Sequence, residues 1–325
     1  MKRALVCGAG GFIGHHMVKR LREEGYFVHG VDLKYPEFSL SLANVFTIAD
    51  LRDPEAWDDI LEPDIDCIYQ FAADMGGAGF VFTEENDAEI LHNNALINLN
   101  AVNAALSWSA KKIFYASSAC IYPAYNQTDP NNPNCREESA YPANPDSEYG
   151  WEKLFSEHLY LAYHKNHGLD VRIARYHNIF GPEGTWKGGR EKVPAAICRK
   201  VIETPNHGDI EIWGDGLQTR SFLYIDDCID ATRKLVESSF LGPVNIGSEE
   251  IVSINDLLLM VIGMSNKKFN IKHIQGPLGV RGRNSNNDLF KEVVDSSFTP
   301  RSLLTGLWIT YEWIESQINF KKREK

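Results

Sequence analysis

Arg3 to Cys7 is a short, mostly apolar run; glycines at 8, 11 and 14 follow it directly, and Phe12 to Glu24 then carries apolar residues at helical spacing. A buried strand that turns on glycines into a helix constrains this chain more than any other feature, because so tight a turn needs the missing side chains. The strand signature then recurs at Phe27 to Asp32, Val45 to Asp50, Cys67 to Phe71, Ile113 to Ser117 and Val171 to Arg175, with helical patterns in several of the intervals. Strands alternating with helices predict an α/β fold on a parallel, doubly wound sheet. The longest helices are expected from about Asn86 to Ala110 and from about Tyr149 to His167, each long enough to meet a partner subunit.

After Arg175 the character changes, since Gly181 to Gly189 is rich in Gly and Pro. The 325 residues also exceed the roughly 250 to 300 at which a single core tends to split. Two lobes are therefore expected. Residues 1–175 form the nucleotide-binding lobe, and 222–248 return to it through a helix at Tyr224 to Ser238, capped by Asp226 or Asp227, and a strand at Val244 to Ile246. Residues 176–221 and 249–325 form a smaller, discontinuous C-terminal substrate lobe.

Lys plus Arg number 33 against 44 Asp plus Glu, a net charge of −11, which argues against general binding to nucleic acid or anionic membrane. No run approaches the roughly 18 apolar residues of a spanning helix. The six cysteines show no C-x-x-C pair and read as reduced thiols, so no metal site suggests itself. The apolar stretch ahead of Gly8 is too short for a signal-peptide core, and the cytoplasm is the expected location.

Gly8, Gly11 and Gly14 form G-x-x-G-x-x-G between strand and helix, the arrangement that lets a pyrophosphate approach a helix N-terminus. Asp32 ends the next strand, placed to accept hydrogen bonds from an adenosine ribose. A carboxylate there repels the additional phosphate of NADP, so NAD is the expected cofactor.

Tyr149 and Lys153 lie one turn apart at the start of a helix, so the ammonium is expected to lower the phenol pKa and to reach the cofactor ribose. Ser118 follows a strand and is placed to hydrogen-bond a substrate hydroxyl. Cys120, two residues on, is a candidate base at neutral pH if a cation stands nearby. From Lys187 to Lys200 five basic residues (Lys187, Arg190, Lys192, Arg199, Lys200) accompany one acid, Glu191. With Arg281-Gly282-Arg283 they are expected to form cationic walls around a diphosphate, and one of the lysines is a candidate proton donor.

Tyr149, Lys153 and Ser118 in this setting resemble the short-chain dehydrogenase/reductase superfamily. From Gly8 almost to the C-terminus the chain is similar to its extended, Rossmann-type members, the GDP-mannose 3,5-epimerases. The segments that carry the likeness are Ala72 to Gly77 (AADMGG), Phe114 to Pro123 (FYASSACIYP), His177 to Pro182 (HNIFGP), Gly184 to Lys192 (GTWKGGREK), Trp213 to Phe222 (WGDGLQTRSF), Asn245 to Ser248 (NIGS) and Gly279 to Ser285 (GVRGRNS). The resemblance implies cofactor contacts from Gly8, Gly11, Phe12, Ile13, Gly14 and Asp32, and from Asp50, Leu51 and Ala72, with Asp50 near the adenine at the end of the third strand. It assigns the redox step to Tyr149 and Lys153, and acid/base work to Cys120 and Lys192. It places Gly76, Ser118, Ala119, Asn178, Glu191, Lys200, Gln218 and Arg281 against a GDP-sugar. A homodimer is also implied. One departure is Gln70-Phe71, where the family more often has Asn-Leu.

The implied chemistry is self-consistent, because an unactivated sugar C–H is too weakly acidic for a thiolate. Oxidation at C4 makes the hydrogens at C3 and C5 enolisable, and returning the hydride closes the cycle with no net redox change, giving GDP-L-galactose or the 5-epimer GDP-L-gulose. A GDP-sugar 4,6-dehydratase needs Thr-Asp-Glu where this chain has Ser118-Ala119-Cys120. A fucose-synthase-like epimerase/reductase expects a His acid and NADP in place of Lys192 and Asp32. A catalytically inactive NAD-binding regulator is expected to lack Tyr149 or Lys153.

Overall fold

The computed structural model describes residues 1–60, 64–276 and 279–323. In chain order its strands are β1 (Arg3–Cys7), β2 (Phe27–Asp32), β3 (Val45–Ile48), β4 (Cys67–Gln70), β5 (Ile113–Ser118), β6 (Val171–Tyr176), β7 (Ile179–Phe180), β8 (Asp209–Trp213), β9 (Thr219–Ser221), β10 (Leu223–Tyr224), β11 (Val244–Ile246), β12 (Ile251–Ser253), β13 (Asn270–Ile274) and β14 (Gly282–Arg283). Its α-helices are α1 (Phe12–Glu23), α2 (Pro54–Asp59), α3 (Ala78–Val81), α4 (Asp87–Ser107), α5 (Glu148–His167), α6 (Val193–Glu203), α7 (Ile225–Glu237), α8 (Ile254–Met264), α9 (Asp288–Val293) and α10 (Leu303–Arg323). Among the described residues no helix is long and apolar enough to cross a membrane.

Seven strands form one all-parallel sheet in the order β11-β6-β5-β4-β1-β2-β3, so the strand order reverses between β1 and β4. A crevice opens at such a reversal, beyond the carboxyl ends of the strands. Near-continuous burial along β1, β4 and β6 is what a sheet covered on both faces requires. One apolar core lies beneath α1 and α7 and runs on into α6, α8 and α10; the other lies beneath α4 and α5. Gly14 is dictated by packing, since a Cβ there would stand 2.1 Å from the Gly8 carbonyl oxygen. The Gly14 backbone can thus rest on the turn.

Three details differ from the sequence expectations. β3 ends at Ile48 rather than Asp50, and β4 at Gln70, so Asp50 lies in the following turn. Its carboxylate is taken by Arg52, with Nε at 2.8 Å from Oδ1 and Nη2 at 2.5 Å from Oδ2, which leaves it a poorer adenine contact than a free strand end. α7 begins at Ile225 without a side-chain cap; Asp226 and Asp227 sit inside its first turn, and Asp227 instead accepts from the Arg301 backbone at 2.9 Å. Acids there still favour the helix through its dipole.

Behind the sheet a buried ion pair joins β6 to α5. Arg175 donates through Nε and Nη2 to Glu157 at 2.9 and 2.8 Å, and Ser117 of β5 donates to the same carboxylate at 2.5 Å. The pair fixes α5 against β6, and the Ser117 bond fixes it against the strand that ends at Ser118.

Candidate active site

The N-terminus of α1 has Gly11 at its cap and no side-chain acceptor, so its first-turn N–H groups, including those of Phe12 and Ile13, are free of protein caps. Gly10, Gly11 and Phe12 line a groove there with Lys34. Asp32 closes the far side, its carboxylate accepting from the Gly10 N–H at 2.9 Å. Burial raises the Asp32 pKa, against the hydrogen bonds from Gly10 and Lys34. Uncapped amides and a fixed carboxylate are the donor and acceptor set that a dinucleotide's pyrophosphate and ribose need. Leu51 is buried, and Ala72 meets the turn, since a Cβ on Gly8 would come within 2.8 Å of its nitrogen.

β5 delivers Ser118 to the carboxyl end of the sheet, where its hydroxyl accepts from the Cys120 N–H at 3.2 Å and caps a single 3-10 turn, Ala119–Ile121. α5 starts on Ser147, whose hydroxyl accepts from Gly150 N at 3.3 Å. Gly150 is the contact point, because a Cβ there would stand 2.2 Å from the Cys120 carbonyl oxygen. This close approach brings Tyr149 beside Ser118. Lys153 places its Nζ 5.4 Å from the centre of the Tyr149 ring and 4.9 Å from that of Tyr115, and donates to the Ala116 carbonyl at 3.2 Å.

The lowering of the phenol pKa expected from Lys153 is outweighed by burial in the structure. Tyr149 is buried with Phe80, Val81 and Ile90, and that desolvation, reinforced by Cys120 and Glu152, holds its pKa well above the ordinary value. The ammonium lies over the ring face and does not outweigh it. Burial likewise lowers the Lys153 pKa, with Glu152, Cys120 and Glu157 opposing the shift.

Lys192 reaches the same place from the other side. Gly77 packs so closely on the 190–191 backbone that a Cβ would stand 2.3 Å from the Glu191 carbonyl oxygen, and Gly77 N donates to Arg190 O at 3.1 Å. Lys192 Nζ then donates to the Gly76 carbonyl at 3.1 Å. Burial lowers its pKa, partly offset by Cys120. Ser118, Cys120, Tyr149, Lys153 and Lys192 thus form one cluster.

The cationic walls are largely compensated. Arg190 pairs with Asp74 at 3.4 Å, Arg199 with Glu191 at 3.2 Å, and Arg281 with Asp215 at 3.0 Å. Arg283 is no wall at all. It is buried, bonded through Nε to Gln127 at 2.6 Å and through Nη2 to Asp146, and its Nη1 stands 3.2 Å from Cys120 Sγ. It is the cation that the sulfur was expected to need, found 163 residues along the chain. Nothing in the local sequence around Arg283 separates it from Arg281. Asp146, Gln127 and Gly150 were also not anticipated; a glycine directly after the tyrosine was the one available signal.

Of the other anticipated contacts, Ala119 is buried and Asn178 uses its amide on Ser221 O at 2.9 Å. Glu191 accepts from Gly189 N at 2.6 Å, and Lys200 donates to Glu211 O at 2.7 Å. Gln218 donates to Trp213 O at 3.2 Å, while its buried Oε1 has no partner among the described residues. All six cysteines are free, and five of them are buried.

The profile of the NAD dependent epimerase/dehydratase family matches residues 4–247. The chain belongs to that family. It is 46% identical to GDP-mannose 3,5-epimerase of Arabidopsis thaliana over 98% of this chain and 83% of that protein. It is 44% identical to GDP-mannose 3,5-epimerase 1 of Oryza sativa subsp. indica over 99% and 84%. Among solved structures it resembles UDP-glucuronic acid 4-epimerase from Bacillus cereus, solved with UDP-glucuronic acid and NAD, at TM-score 0.83 and 27% identity, covering 97% of this chain and 99% of that one. These likenesses agree with the Rossmann-type sheet, the uncapped α1 and the Asp32 carboxylate, and NAD is the cofactor of this nucleotide-sugar epimerase.

Proposed function

We propose that the chain epimerises GDP-mannose at C3 and C5, to GDP-L-galactose and GDP-L-gulose, through a transient 4-keto sugar. The observation that carries this reading is Cys120 with its Arg283 partner in one cluster with Ser118, Tyr149 and Lys192, in a chain close in sequence to GDP-mannose 3,5-epimerases. NAD bound on α1 supplies hydride acceptance and return. Gly8, Gly11, Phe12, Ile13 and Gly14 hold its pyrophosphate, Asp32 its adenosine ribose, and Lys153 its other ribose.

With Lys153 and the positive charge that NAD would bring countering the desolvation of its phenolate, Tyr149 takes the proton of the C4 hydroxyl and later gives it back, and Ser118 orients that hydroxyl. Hydrophobic cover by Phe80 and Val81 excludes water. With C4 a ketone, Cys120 removes a proton at C3 or C5 and Lys192 returns one from the opposite face. Arg283 compensates charge on sulfur as its proton leaves. A proton donor at Lys192 is suited by a lowered pKa, since transfer is easier from a weaker base. Gln218 and Arg281 are assigned to the GDP portion. Incubation with GDP-mannose and no added NADPH is expected to yield the two epimers. Recovery of unchanged GDP-mannose, or of products only when NADPH is supplied, would refute this reading.

We also propose a homodimer through α4 and α5, which pack on each other and leave Leu99, Trp151 and Phe155 exposed on their outer faces. Two such faces bury each other about a two-fold axis. Sedimentation at micromolar concentration is expected to give a dimer, and Phe155→Glu a monomer.

A further inference from the structure

We propose that Arg190 is a positioning residue that latches the 188–192 loop onto the 74–82 segment, so that the 4-keto sugar is retained until its hydride returns. The proposal rests on the reaction given above. Once C4 is a ketone, its hydride is on the cofactor and the hydroxyl proton is on Tyr149. A ketone that leaves at this stage takes neither with it. The two electrons stay behind as NADH with no acceptor, and that enzyme molecule is stopped. The cleft must therefore stay shut through the keto stage and open before and after it.

The loop and the segment meet along one seam. At its buried end Lys192 Nζ donates to the Gly76 carbonyl at 3.1 Å. Next, Gly77 N donates to Arg190 O at 3.1 Å, with the Gly77 backbone too close to Glu191 O to admit a Cβ. The Arg190 side chain closes the exposed end. Its guanidinium lies 3.9 Å from the centre of the Phe80 ring and pairs with Asp74 at 3.4 Å, so it grips the opposite segment at two points. Phe80 is itself buried and packs with Val81, Ile90 and Tyr149. Arg190 thus holds from outside the ring that covers the phenol.

The rest of the loop is built to move. Glu191 is held by Arg199 of α6 at 3.2 Å, and Arg199 Nε donates to Trp186 O at 3.1 Å, which anchors both ends. Between these anchors Gly188 and Gly189 have φ of +95° and +89°, and a Cβ at either would meet nothing within 4 Å. Glycine serves backbone conformation there and not close packing, as a hinge requires. The strength of the latch suits the task. An exposed ion pair and an exposed cation–aromatic contact are each worth a factor of about three, together about tenfold in the ratio of closed to open forms. That holds a ketone for a turnover and still releases product.

The test is Arg190→Gln, which keeps most of the length and removes the charge; the side chain is half exposed, so the core is left intact. Asp74→Asn removes the ion pair alone. In the holoenzyme turning over GDP-mannose, Arg190→Gln should still oxidise C4 but accumulate protein-bound NADH, read by its near-ultraviolet absorbance, and lose activity with time. Borodeuteride added to the protein-free filtrate should label the escaped ketone at C4. Ketone loss per turnover should rise about tenfold over wild type, and about threefold in Asp74→Asn. Access to Cys120 supplies a reading that needs no substrate. Cys120 packs against the Phe80 cluster and the other five cysteines are buried, so iodoacetamide reports opening at Cys120. Its alkylation in the holoenzyme should also quicken about tenfold in Arg190→Gln, and the label should vanish in Cys120→Ala. A fall in kcat with neither NADH nor free ketone, or an unchanged alkylation rate, would overturn the proposal. Absence of turnover in the wild type would refute the substrate reading instead, and the alkylation comparison would still decide the role of Arg190.

Discussion

Gly77→Ala tests how closely the reaction depends on the junction between the 74–82 segment and the 188–192 loop. The added Cβ would stand 2.3 Å from the Glu191 carbonyl oxygen, whereas ordinary contact begins at 3.4 Å, so the two backbones must part by about 1 Å. The obstacle is backbone, and no rotamer change relieves it. Lys192 is the next residue, and its ammonium donates to the carbonyl of Gly76 at 3.1 Å. An opening of that size lengthens the bond beyond hydrogen-bond range and displaces the ammonium from the sugar. A misplacement of about 1 Å costs on the order of 100-fold in rate. Steady-state turnover of GDP-mannose should therefore fall by about that factor, while extraction still yields bound NAD and circular dichroism is unchanged. A variant within about threefold of wild-type kcat would show that Lys192 is not held by this junction, and its assignment as proton donor would lose its structural basis.

Cys120→Ala removes the proposed base but leaves Ser118, Tyr149 and Lys153, so solvent deuterium should no longer enter at C3 and C5, as read by mass spectrometry and NMR, while reversible oxidation at C4 survives. Exchange at the wild-type rate would place the base elsewhere. Burial lowers the Lys192 pKa, so its ammonium form is present at low pH and lost as pH rises through that depressed value. Deuterium exchange should accordingly decline below the pH range of an exposed lysine, near about 10.4, and Lys192→Arg should extend the decline to higher pH. Glu157→Gln strands the buried Arg175 guanidinium and should cost about 3–5 kcal/mol in urea unfolding, with a loss below about 1 kcal/mol contradicting the role given to that pair.

The alternation of strands and helices, the glycine turn and Asp32 were legible because each is imposed locally: the period of burial, the close approach of backbone, and a carboxylate at a strand end. Tyr149 and Lys153 were legible for a similar reason, as a helical spacing is a geometry in itself. Their electrostatics were not. Whether a phenol's pKa falls or rises depends on the cover provided by Phe80 and Ile90, which arrive from 59 to 69 residues away in sequence and carry no charge. Arg283 is the sharper case. Arg281 and Arg283 look alike in the chain, and only Asp146 and Gln127 decide which one is drawn inward to the sulfur and which remains at the surface with Asp215. The end of β3 and the cap of α7 were misplaced because Arg52 and Arg301 compete for the acids expected to act there.

The two halves of the chemistry are supported differently. Ser118, Tyr149 and Lys153 stand on β5 and α5, which are joined by the Ser117–Glu157 hydrogen bond and by contact at Gly150, all within the seven-stranded sheet and its covering helix. Cys120 shares that base, but its cation comes from β14, and Lys192 comes from the loop that leads into α6. Small relative movement of these later segments alters the proton-transfer groups while the hydride-transfer groups stay in register. Redox cycling at C4 without epimerisation is therefore the expected phenotype of lesions in the 188–192 loop or β14, whereas lesions at the base of α5 should abolish both.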